Sequence, residues 1–77
     1  MVKRRIDDLD IKISKNIKDE IISSGKSITE IAKAIGVTQP TVSEYCSGKI
    51  QPTLATLSKL CHFLDCSADD ILEIKKP

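Results

Sequence analysis

A chain of 77 residues, with 12 Lys plus Arg against 11 Asp plus Glu and a net charge of +1, has room for one domain spanning 1–77. A chain of this length buries only about 60% of its unfolded surface, so a large enclosed substrate cavity would consume the core, which argues against an elaborate enzyme. With 40% apolar residues, 30% charged residues and only three Gly and three Pro, the composition is that of a folded chain rather than a disordered one.

Tyr45 and Phe63 are the only aromatic residues, while Ile and Leu are abundant and fall at helical spacing, so an all-α fold is expected. Apolar runs are no longer than pairs such as Ile21-Ile22, far short of the roughly 18 residues a membrane span needs. Lys3, Arg4 and Arg5 open the chain, but Asp7, Asp8 and Asp10 follow in place of an apolar signal region. The expectation is a mature cytoplasmic start with residues 1–5 as a flexible arm. The three cysteines, Cys46, Cys61 and Cys66, are odd in number and lie in or beside apolar helical patterns, which suits reduced cytosolic thiols.

Ile6, Leu9, Ile13, Ile17 and Ile21 recur every three or four residues and predict a first helix that ends at Gly25. Its other side carries Lys12, Lys15 and Lys18, which read as a solvated face. Ser27 and Glu30 form an S-x-x-E capping box that opens a second helix through Ile28, Ile31, Ala32 and Ile35, stopped by Gly36. Thr38 is a suitable cap for a third helix, and Pro40 fits its first turn, where backbone N–H groups lack helical partners. Val42 and Tyr45 form that helix's inward edge and Gly48 closes it. A loop from Lys49 to Pro52 precedes Thr53, which caps a fourth helix with Leu54, Leu57, Leu60, Cys61 and Leu64 on one side. Ser67, Asp69 and Asp70 start a short fifth helix bearing Ile71, Leu72 and Ile74.

Residues 27–48 thus read as two short helices joined by a glycine turn, a helix-turn-helix. Gly36 supplies a left-handed conformation that a Cβ would penalise, and Ala32 lets two helices cross closely. With Ile31, Ile35, Val37, Val42 and Tyr45 turned inward, the third helix presents Gln39, Pro40, Ser43, Glu44 and Ser47 to solvent.

The run ITEIAKAIGVTQPTVSEYCSGK, the Gly48-x-x-x-Pro52-Thr53 link and the later LSKLCHFLDCSADDIL resemble, in that order, the Cro/C1-type (XRE) helix-turn-helix family of phage and bacterial repressors. The resemblance covers nearly the whole chain. It implies a five-helix, lambda-repressor-like DNA-binding domain that acts as a homodimer on a two-fold symmetric operator in duplex DNA, with the third helix in the major groove. Residues carried over as base contacts are Gln39, Pro40, Ser43 and Glu44. A glutamine amide can bond adenine N6 and N7 together, a glutamate can accept from cytosine N4, and the proline ring can meet a thymine methyl. Ser27, Thr29, Thr38, Thr41, Ser47 and Lys49 are the expected phosphate contacts. One departure is Ile28, where many relatives place Gln to touch phosphate and buttress the first base reader. It implies a Gln39 held less tightly. A second is the slight positive excess of Lys26, Lys33 and Lys49 over Glu30 and Glu44, which implies affinity gained through dimerisation.

Plainer chemistry competes at several positions. Ser27, Thr38 and Thr53 would serve as caps in any helical protein, at about 1 kcal/mol each. Cys61 and His62 are adjacent, so they diverge by about 100° on a helix, and no C-x-x-C pair accompanies them, so no metal is expected. No nucleophile, base and orienting group form a set, so catalysis and cofactors are not expected either. The leading expectation is a transcriptional regulator, a repressor that occupies its operator without a small-molecule substrate. The alternative is an antitoxin-like adaptor that uses the same fold chiefly to bind a protein partner.

Overall fold

The computed structural model describes residues 8–74, which form five helices: α1 (Asp8–Ser24), α2 (Ile28–Ile35), α3 (Gln39–Ser47), α4 (Leu54–Leu64) and α5 (Ala68–Leu72). No strand occurs among the described residues. The chain's start at Lys3 to Arg5, the apolar Ile6 and the end at Lys75 to Pro77 lie outside them.

Each predicted start is made by the expected side chain. The Ser27 hydroxyl accepts from the Glu30 N–H at 3.1 Å while the Glu30 carboxylate accepts from the Ser27 N–H at 2.9 Å, which completes the capping box. Thr38 and Thr53 accept from the N–H groups of Thr41 and Thr56, and Ser67 accepts from that of Asp69. Gly36 and Gly48 close α2 and α3 with φ of +77° and +85°. Asp65 and Glu73 take the same left-handed conformation after α4 and α5, at φ of +56° and +61°.

α1 packs against α3, α4 and α5, while α2 packs against α3 and α4. The core consists of Ile13, Ile17 and Ile21 from α1, Ile31, Ala32 and Ile35 from α2, Val42 and Tyr45 from α3, Leu57, Leu60 and Cys61 from α4, and Ile71 from α5. Asn16 ties α1 to the end of α5: its amide donates to the Ile71 carbonyl at 3.0 Å and to a Glu73 carboxylate oxygen at 2.6 Å. Three apolar residues depart from the expected stripes. Leu9 is 48% exposed, Leu54 81% and Ile74 53%. Leu9 and Leu54 occupy the first turns of their helices, one turn before Ile13 and Leu57, where the buried stripes begin; Ile74 follows the last turn of α5. At 17 residues, about 25 Å, α1 outruns every helix packed against it, so its first turn overhangs the core.

Candidate nucleic-acid interface

Burial of Val42 and Tyr45 fixes the rotation of α3, because neither can turn outward without opening the core. The opposite side therefore faces solvent: Gln39, Pro40, Ser43 and Ser47 are exposed, and Thr41 and Glu44 are half-buried. None of the other four helices covers this face. Gln39 and Ser43, four residues apart, lie one above the other on the helix surface. Their side chains have no hydrogen-bond partner among the described residues, so the Gln39 amide keeps its full donor and acceptor capacity. An α-helix is about 10–12 Å across with its side chains, which fits the roughly 12 Å width of a duplex major groove.

The expected phosphate contacts are more encumbered. Ser27 is engaged in its capping box, which also sets the Glu30 carboxylate at the start of α2. The Ser27 backbone N–H, then the Ser27 hydroxyl and Lys26, hold the Glu30 carboxyl below its ordinary value. A fixed negative charge thus sits where the helix dipole would otherwise welcome an anion. The Thr38 and Thr41 hydroxyls bond each other at 2.8 Å. The Ser47 hydroxyl donates to the Glu44 carbonyl at 3.2 Å. Thr29 is exposed beside the cap. Lys49 Nζ lies 3.7 Å from a Glu44 carboxylate oxygen, so an expected phosphate contact and an expected base contact partly neutralise each other.

Ile28, the departure noted in the sequence, is half-buried against the core and helps line a groove of about 310 Å³ between α1, α2 and α3. Ile21, Ile22 and Cys46 also line it, together with Ser43 and Ser47 of the open α3 face. Lys18 of α1 lines the same groove, a placement that helical periodicity did not reveal.

Burial raises the thiols of Cys46 and Cys61, and pushes Cys66 up to about 12, with Cys61 adding to the shift. All three are protonated at neutral pH, and a protonated thiol is a poor nucleophile and a poor metal ligand. No group of three or more His, Cys, Asp or Glu is arranged to hold a metal ion among the described residues. No helix among them is long and apolar enough to cross a membrane.

A family profile described as "Helix-turn-helix" matches residues 17–71, from the middle of α1 into α5. The chain belongs to the Cro/C1-type helix-turn-helix family. Among solved structures, this family member is similar to the SOS-response transcriptional repressor LexA from Eubacterium rectale, with 33% identity and a TM-score of 0.79 over 99% of this chain and 78% of that one. It also shares its fold with the clp gene regulator ClgR from C. glutamicum, at 24% identity and a TM-score of 0.78, over 92% of this chain and 91% of that one. No curated protein matches the chain. As a helix-turn-helix domain of the kind carried by transcriptional regulators, it places every residue carried over from the family on α2, on α3, or in the turns that flank them.

Proposed function

We propose that this domain is a sequence-specific DNA-binding transcriptional regulator that represses by seating α3 in the major groove of an operator and excluding polymerase. The observation that carries the reading is the open face of α3, where Gln39 and Ser43 are exposed and unbonded on a helix whose rotation is locked by Val42 and Tyr45. The similarity to a LexA repressor points the same way. Gln39 reads adenine, Ser43 and Glu44 read neighbouring bases, and Pro40 abuts a thymine methyl. Ser27, Thr29, Thr38, Thr41, Ser47 and Lys49 set the register on phosphates: the Ser27 hydroxyl, which only accepts in its cap, keeps its O–H to donate, whereas Ser47 and the Thr38–Thr41 pair exchange an internal hydroxyl bond for one to phosphate. With Glu30 and Glu44 facing the duplex, one copy binds weakly and a homodimer supplies the affinity. No cofactor or catalytic step is required.

Selection from random duplexes at fixed salt tests this directly. The expected result is a palindromic winner whose half-site centres lie about 34 Å apart, one turn of DNA. Failure to enrich any sequence would overturn the reading.

A further inference from the structure

We infer that Lys18 of α1 is a DNA phosphate contact and contributes more to binding than Lys49. This rests on the proposed DNA-binding reading and extends the interface to a helix outside the helix-turn-helix. Three features of the structure support it. Lys18 helps line both grooves between α1 and α3, alongside Cys46 and Ser47 in each, so its stem runs beside the open face of the third helix. Its ammonium is close enough to α3 to act electrostatically on the Cys46 thiol, favouring the ionised form against burial. It is also uncommitted: Lys15, one turn earlier, bonds Asp19 at 3.0 Å, whereas Lys18 has no ion pair among the described residues.

The surrounding charges make this position matter. Lys49, just past the C-terminal end of α3, is partly neutralised by Glu44, and the start of α2 carries the Glu30 carboxylate. Lys18 is then an unpaired cation on the edge of α3 nearest α1. A phosphate strand flanking the major groove would pass along that edge when α3 is inserted. Each neutralised phosphate releases counterions and adds about 0.9 to the slope of log K against log salt, worth about fivefold in affinity at physiological ionic strength.

The test is a salt titration of the full chain on a labelled 30-base-pair duplex of mixed sequence, comparing the unaltered protein with Lys18→Gln, Lys18→Arg, Lys49→Gln and Lys59→Gln. Lys59 is exposed on α4 and serves as a control for net charge. Expected results are a slope reduced by about 0.9 for Lys18→Gln, restored by Lys18→Arg, a smaller reduction for Lys49→Gln, and the parental slope for Lys59→Gln. A parental slope in Lys18→Gln, or equal reductions in Lys18→Gln and Lys59→Gln, would overturn the inference while leaving DNA binding itself intact. If the unaltered chain binds neither this duplex nor any selected one, the functional reading falls and the inference falls with it.

Discussion

At Gly48 two separate constraints meet. Its φ of +85° penalises any Cβ, and an added Cβ would lie 3.1 Å from Ser14 Oγ, a buried side chain on α1. Gly36 has a similar φ of +77° but nothing within 4 Å of its missing Cβ. Gly36→Ala is therefore expected to cost only the strain of the left-handed backbone, about 1–2 kcal/mol, and Gly48→Ala more. Adding Ser14→Ala should recover part of the Gly48→Ala loss, an interaction that denaturant melts of the four-variant cycle measure; strict additivity would rule out the contact. Glu30 carries a pH dependence of known sign. Its folded carboxyl lies below the ordinary 4.5, chiefly through the Ser27 backbone N–H, so it favours the folded state above that value. That contribution fades as pH falls through the lower, folded value. In Glu30→Gln the acid limb of the stability curve should flatten, and an unchanged limb would mean the capping box does not persist in solution.

Among the elements, helix starts were legible because one side-chain oxygen decides each: Ser27, Thr38, Thr53 and Ser67 all cap where the sequence places them. The ends at Asp65 and Glu73 were not, since a residue other than glycine is uncommon in the left-handed conformation and its type alone does not mark the helix end. Periodicity also treats every member of an apolar stripe alike, whereas packing does not. Leu60 is fully buried and Leu54 is 81% exposed, although both were assigned to the inner side of α4. Leu60→Ala should cost about 2–5 kcal/mol and Leu54→Ala less than about 0.5 kcal/mol by urea denaturation. Similar losses at the two positions would contradict the exposed first turn of α4.

Over the whole molecule, the open face of α3 followed from the sequence because the inward pair Val42 and Tyr45 leaves Gln39, Pro40, Ser43 and Ser47 no other direction to point. The electrostatic frame around that face did not follow. Whether Glu44 is available depends on where the loop brings Lys49, and whether Lys18 is merely solvated depends on how α1 packs on α3; both are contacts between elements. With a net charge of +1, the proposed binding to DNA cannot rely on a general basic surface, and the specificity proposed here rests on the few side chains that α3 projects. Gln39→Ala isolates that requirement. Measured at fixed salt on a selected operator and on a mixed-sequence duplex, the substitution should weaken operator binding by about 1–3 kcal/mol and leave non-specific binding nearly unchanged, relaxing the preference at one base position. Equal losses on the two duplexes, or no loss on either, would contradict base reading by the exposed face of α3.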